Sequence, residues 1–180
     1  IETFEDSLRL DTEEIGEICV NGEVVTDQYW NTEKHNKLGK MQSSKGTWHR
    51  MGDVGYIDAS GRLWFCGRKS HRVQIGSKCI FTIPTEAPFN THKNVFRTAL
   101  VGPNNAQGKR VAVLCVEFEP GLTRDEHIKT LEDLKTIRDQ FDHLKLISVL
   151  LPHPGFPVDI RHNAKINREV LREWAEKEIQ

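Results

Sequence analysis

Apolar positions along the chain change their period from one stretch to the next. In the first third they alternate with polar ones, the period of a strand. Glu17–Val25 ("EICVNGEVV") alternates around Asn21-Gly22, a dipeptide that favours a tight turn, so a hairpin is predicted there. "NTEKHNKLGK" then shows helical spacing, with Asn31 or Thr32 as its N-cap. Ser43–Gly46 ("SSKG") reads as a surface loop. "VGYID" and "RLWFC", joined by Ala59-Ser60-Gly61, predict a second hairpin that offers Tyr56, Leu63 and Phe65 to a core. Gly67–Arg72 ("GRKSHR") is cationic, has no apolar period and reads as a linker.

Beyond the linker the pattern is mixed. "RVQI" and "CIFTI" are short strands, and "PTEAPFNTH" is one short helix that Pro88 interrupts. "VFRTALVG" and "KRVAVLCVEFEPG" are strands, the second apolar enough to be covered on both faces. Ile128, Leu131, Leu134 and Ile137 recur at helical spacing behind Thr123, a natural N-cap. "LKLISVLL" is a strand stopped by Pro152. A polar loop carrying Lys165 then leads into a helix whose stripe is Ile166, Val170, Leu171 and Trp174. The element order predicts an α+β fold with helices packed on a sheet.

Composition narrows the function classes. The 180 residues suffice for one domain or two small ones, and 37% apolar with 28% charged residues is an ordinary globular balance. A net charge of −1 gives no broad pull toward nucleic acid or an anionic membrane. No apolar run approaches the ~20 residues of a membrane span. Cys19, Cys66, Cys79 and Cys115 form no CxxC pair, so buried thiols in a reducing cytoplasm are expected rather than a zinc ribbon or disulfides. His143, His153 and His162 lack ligand spacing on a single element, so no metal site is expected. The chain has no initiator Met and enters strand-like sequence quickly, which reads as a piece of a longer protein.

Three local features can carry chemistry. Asp53 follows a glycine at a strand entry, where a carboxylate can accept hydrogen bonds from two adjacent hydroxyls, as in a ribose, or simply cap a turn. Arg68 lies fifteen residues on, at the end of the partner strand. Pairing would bring its planar donor fork beside Asp53, an arrangement suited to a sugar–phosphate, or to a surface ion pair of little energy. Lys165 sits at a helix start, where the macrodipole mildly disfavours a cation; it is either a mobile charge for a phosphate or carboxylate or a solvated side chain. No Gly-x-Ser-x-Gly elbow, Walker A loop or Gly-x-Gly-x-x-Gly is present.

These features, in this order, resemble the adenylate-forming superfamily of acyl-CoA synthetases, peptide-synthetase adenylation domains and firefly luciferases. "GEICVNGEVVTDQYW" is similar to its Gly-Glu-Ile strand leading to Gly-Tyr-Trp, and "WHRMGDVGYIDASGRLWFCGR" to its Trp-Phe-x-Thr-Gly-Asp through Gly-Arg. "IPTEAPFNTHKNVFRTALVG" resembles its Pro-x-Glu helix and following strand, and "NAKINREVLR" its closing Ser-Gly-Lys-Ile-x-Arg. The match runs from about Ile15 to Trp174. "FCGRKSHRV", "TIPTEAPFN" and "FPVDIRHNAKI" resemble the branch, in bacterial olefin biosynthesis, that closes β-hydroxy acids to β-lactones.

The resemblance implies a division of the chain. Residues 1–67 would be the last, barrel-like β-rich subdomain of a large N-terminal domain. Arg68, Lys69, Ser70, His71 and Arg72 would be a hinge, and 73–180 a mobile C-terminal domain. It implies that Asp53 binds the ribose hydroxyls of ATP, that Arg68 contacts the ribose or phosphate, and that Phe65 belongs to the same nucleotide site. Lys165 would reach the α-phosphate and the substrate carboxylate. ATP and Mg²⁺ would be held mainly by residues upstream of this chain, which alone would not turn over. The substrate would be a fatty or β-hydroxy acid, with CoA or other biosynthetic enzymes as further partners. Met51 stands where the family has Thr, Ser70-His71 where it has acidic residues, and His162-Asn163-Ala164 before Lys165 where it has Ser-Gly. These departures leave open whether CoA is the acceptor. A binding module that kept the fold and lost the chemistry is the non-enzymatic alternative.

Overall fold

The computed structural model describes residues 2–160 and 165–180. It divides into two compact units, residues 1–70 and 71–180.

The first unit is a four-stranded antiparallel sheet built on one long strand. The strands are β1 (Gly16–Val20), β2 (Lys40–Ser43), β3 (Gly46–Ile57) and β4 (Leu63–Arg68), with a short helix α1 (Glu33–Gly39) before β2. β1 pairs along one edge of β3, and β2 and β4 share the other edge at opposite ends: His49 faces both Val20 and Lys40, and Gly55 faces both Gly16 and Phe65. The sheet is open; no strand pairing closes it into a barrel among the described residues.

The hairpin expected at Glu17–Val25 does not form. β1 ends at Val20 and finds its partner in β3. Asn21, read as a turn residue, instead donates through Nδ2 to the Thr47 carbonyl at 2.9 Å, tying the end of β1 to the start of β3. Val24 would have led the second strand and is 96% exposed. The β2–β3 hairpin turns through Ser44-Lys45, in the stretch read only as a loop. The β3–β4 hairpin is as predicted, with Tyr56 opposite Trp64 and the two rings stacked at 6.2 Å. Its apolar residues differ from expectation: Val54 and Cys66 are buried, whereas Leu63 and Phe65 are exposed.

The second unit is a three-stranded sheet covered on both faces. Its first element is a small hairpin of β5 (Val73–Ile75) and β6 (Lys78–Ile80). Helix α2 (Thr82–Asn90) leads to β7 (Val95–Val101) and β8 (Ala112–Phe118), an antiparallel pair. Helix α3 (Arg124–Gln140) then crosses to β9 (Ile147–Pro152), which runs parallel to β8. A two-residue pair, β10 (Val158–Asp159) with β11 (Lys165–Ile166), precedes helix α4 (Arg168–Glu178). Alternation along β8 builds the layers. Ala112, Leu114 and Val116 face a core with Phe89 of α2 and Leu134 of α3. Val113 and Cys115 face another with Leu171 and Ala175 of α4.

Several boundaries move for physical reasons. Thr82 and Ile83, read as strand, open α2 instead, and α2 continues through Pro88. Pro88 has no N–H for the Pro84 carbonyl one turn back. His143 Nε2 lies 3.2 Å from that oxygen and supplies the missing donor. In α3, Thr123 makes the reciprocal capping box with Glu126. Ile128, expected in the core, is exposed; Thr130 is buried instead, accepting from Asn94 Nδ2 at 2.9 Å. β9 starts at Ile147, because Leu144–Leu146 form a 3₁₀ turn, and it includes Pro152. Val170 is half exposed, and Ala175 takes the inward place in the stripe of α4. All four cysteines are free; Cys66 and Cys115 are buried, but Cys19 and Cys79 are partly exposed.

Candidate functional site

In the first unit, strand register assembles the group around Asp53. Asp53 lies within β3, not at a strand entry, and its partner across the hairpin is Arg68. That pairing depends on a β-bulge. Gly55 faces Phe65 and Val54 faces Gly67, so Cys66 is the extra residue. Without it, Arg68 would lie opposite Gly52. Gly67 takes φ +120, a conformation that glycine adopts without strain. Paired residues share a face and alternate residues along one strand return to it. Asp53, Gly55, Phe65 and Arg68 therefore lie on one face. Gly55 cannot be larger: a Cβ there would collide with the Trp64 carbonyl and come within 3.1 Å of Ile18 Cδ1.

The chemistry of this group follows from which atoms are spent. Arg68 Nη1 is 3.1 Å from Asp53 Oδ1 but directs its hydrogen bond to the Met51 carbonyl at 3.0 Å. Asp53 Oδ1 is thus buried beside a cation with its acceptor capacity unspent among the described residues. Arg68 is about half exposed, with side-chain accessibility 48%. Phe65 presents an exposed ring on the same face. A carboxylate with an unspent acceptor, a partly free guanidinium and an aromatic face are the groups that suit a sugar hydroxyl, a phosphate and a base.

Glu17, which the sequence reading did not single out, organises the neighbouring surface. Its Oε2 accepts from Arg50 Nη2 at 2.6 Å and from Lys69 Nζ at 2.7 Å. Burial pushes the carboxyl up, but the Arg50 and Lys69 hydrogen bonds outweigh it and leave its pKa below the usual value. Glu17 and Arg50 also line an open cavity of about 540 Å³ with Tyr29, Trp30 and His35. Of the expected hinge residues, Arg68 ends β4, and Lys69, Ser70 and His71 form a single 3₁₀ turn. The stretch read as an unstructured linker therefore has regular structure, with Lys69 tied down by Glu17 and Ser70 exposed.

Lys165 belongs to the second unit. It lies on β11, opposite Asp159 on β10, and not on an irregular loop as its polar surroundings suggested. Its side chain is exposed. The residues just after it are firmly held. Asn167 N donates to the Pro157 carbonyl at 2.8 Å, and Asn167 Oδ1 caps α4 through Val170 N. Arg168, the first residue of α4, makes a two-pronged contact with Glu86 of α2: Nη1 to Oε1 at 2.6 Å and Nη2 to Oε2 at 2.9 Å. Both side chains are largely buried, at 16% and 8% accessibility. The preceding His162-Asn163-Ala164 lies outside the described residues. Among those described, no cluster of His, Cys, Asp or Glu is arranged to hold a metal ion, and no helix is long and apolar enough to cross a membrane.

No family model matches the chain. It is 46% identical over 167 residues to an olefin β-lactone synthetase of Xanthomonas campestris pv. campestris, covering 90% of this chain and 30% of that protein. To another of that name, from Stenotrophomonas maltophilia, it is 44% identical over 176 residues, covering 93% and 31%. The solved structure of ATP-bound MatB from Rhodopseudomonas palustris shares the fold, with TM-score 0.74 at 23% identity over 95% of this chain and 32% of that one. In sequence and fold, the chain corresponds to the C-terminal portion of the adenylate-forming superfamily. The particular relatives that it matches at 44–46% are olefin β-lactone synthetases, and it spans about 30% of their length.

Proposed function

We propose that this chain is the C-terminal part of an ATP-dependent carboxylic acid–AMP ligase acting on a fatty or β-hydroxy fatty acid. The acid's carboxylate oxygen attacks the α-phosphorus of ATP, the bond to the β-phosphate breaks, and acyl-AMP and pyrophosphate result. The substrate's own β-hydroxyl then attacks the acyl carbon, loses its proton, and displaces AMP to close a β-lactone. Holding nucleophile and electrophile in one molecule favours that ring closure and removes the need for a thiol acceptor.

Within that scheme the first unit is the last β-rich subdomain of a larger N-terminal domain, residues 68–72 are the hinge, and residues 73–180 are the mobile domain. Asp53 accepts the ribose hydroxyls, Arg68 contacts ribose or phosphate, and Phe65 borders the nucleotide. Lys165 bridges the α-phosphate and the substrate carboxylate, two anions whose mutual repulsion a shared cation offsets in the transition state. The unspent acceptor on Asp53 and the exposed side chains of Arg68 and Lys165 fit these roles. Mg²⁺ accompanies the triphosphate and is held mainly by residues outside this chain.

The observation that carries the reading is the 44–46% identity to olefin β-lactone synthetases over nine-tenths of the chain. The test is the full-length protein with a β-hydroxy fatty acid and ATP, with and without CoA. AMP and a β-lactone are expected in both. Acyl-CoA formed only when CoA is present would replace this reading with an acyl-CoA ligase, and no AMP in either case would leave a binding module. ATP–pyrophosphate exchange by the 180-residue chain alone is expected to be nil.

A further inference from the structure

We infer that Glu86 and Arg168 are positioning residues for Lys165: their buried fork fixes where β11 leaves the core and so where the Lys165 ammonium can reach. The inference rests on the reading of Lys165 given above.

The geometry singles this pair out. Arg168 stands at the first position of α4, where the helix dipole disfavours a cation. It is nonetheless turned inward, and a largely buried guanidinium needs an anion and full hydrogen bonding. Glu86 supplies both oxygens, and Arg168 Nη1 also reaches the Leu100 carbonyl at 3.1 Å. Glu86 Oε1 in turn accepts from Leu100 N at 2.7 Å. One pair thus joins α2, β7 and the start of α4. Only Ile166 and Asn167 separate Arg168 from Lys165, and Asn167 N is bonded to Pro157. Lys165 is an exposed side chain on an anchored backbone: it is paired on β11 with Asp159 of β10, and three residues on Arg168 is held by Glu86. An Arg fork constrains direction as well as distance, which a lysine at the same place would not do. A long exposed side chain on a well-fixed backbone can swing without losing its address.

Arg168→Lys keeps the charge and removes the fork; Glu86→Asp keeps the carboxylate and shortens its reach. In the 180-residue chain, each is expected to speed hydrogen exchange at the Asn167 amide by about tenfold or more, while the β8 amides Val113–Val116 stay within about twofold. With the ion pair retained in both variants, equal acceleration at β8 would mean that the fork's geometry serves only the stability of the whole unit, and no change at Asn167 would mean that it does not fix this segment. Either result overturns the inference. In the full-length protein, Arg168→Lys is expected to lower the adenylation rate by about 10- to 100-fold with the ATP KM little changed. In a Lys165→Ala background it should cost nothing more. A further loss in that background would contradict action through Lys165. If Lys165→Ala itself leaves adenylation intact while the exchange result holds, the role of Lys165 falls and the clamp stands.

Discussion

The two regions that carry the candidate chemistry are held in place by opposite means. Around Asp53 the backbone does the positioning. A one-residue bulge at Cys66 sets the register, Gly55 and Gly67 permit it, and Arg68 and Phe65 stand exposed beside a partly buried Asp53. Around Lys165 the side chains do it. The strand is two residues long, and the start of α4 is held through a buried Arg–Glu fork. The difference teaches where each region is vulnerable: the first to a change in a glycine, the second to a change in a charge.

Breaking the fork is expected to have the largest effect. Arg168→Ala leaves Glu86 buried and unpaired, and should destabilise the second unit by about 3–5 kcal/mol, read by chemical unfolding. A loss below ~1 kcal/mol would show that the fork is not a structural tie. Gly55→Ala comes next, at about 1–3 kcal/mol, because its Cβ meets the Trp64 backbone and Ile18. Chemical-shift changes should extend along β4 to Arg68, and changes confined to residue 55 would break the backbone half of the comparison.

Arg68→Ala should alter the hairpin's stability by about 0–1 kcal/mol, since its ion pair with Asp53 is half exposed. A larger loss would mean that the pair, and not the register, holds the hairpin. The smallest effect is one of pH. Asp58 accepts from the Trp64 indole and from the Arg62 and Ser60 amides, which hold its pKa at about 2 against an ordinary 3.8. A depressed carboxylate contributes stability that is present above its unfolded pKa and lost as pH falls through the folded one. The hairpin should therefore loosen between about pH 4 and pH 2, followed by Trp64 fluorescence. Asp58→Asn should flatten that change; an unaltered profile would assign it elsewhere.

Much of the second unit was legible from sequence because its elements declare themselves locally. The capping box at Thr123 and the two-sided apolar run of β8 need no distant partner to be read. What failed there was local pattern overruled by tertiary contact. By local pattern Pro88 ends a helix, but His143 serves the freed carbonyl; by local pattern Thr130 is surface, but Asn94 meets it. The first unit was harder. β1 pairs with a strand thirty residues away, so the Asn21-Gly22 turn signal misled. The approach of Asp53 to Arg68 was foreseen, but the bulge that brings them opposite was not. The Arg168–Glu86 fork had a faint signal: an arginine at a helix start, against the dipole, asks for an anion.

The most direct test of the account is Lys165→Ala in the full-length protein, with adenylation and the consumption of pre-made acyl-adenylate measured separately. Adenylation is expected to fall by roughly 10²-fold or more while product formation from the acyl-adenylate largely survives. Equal loss in the two steps would contradict the role given to that lysine.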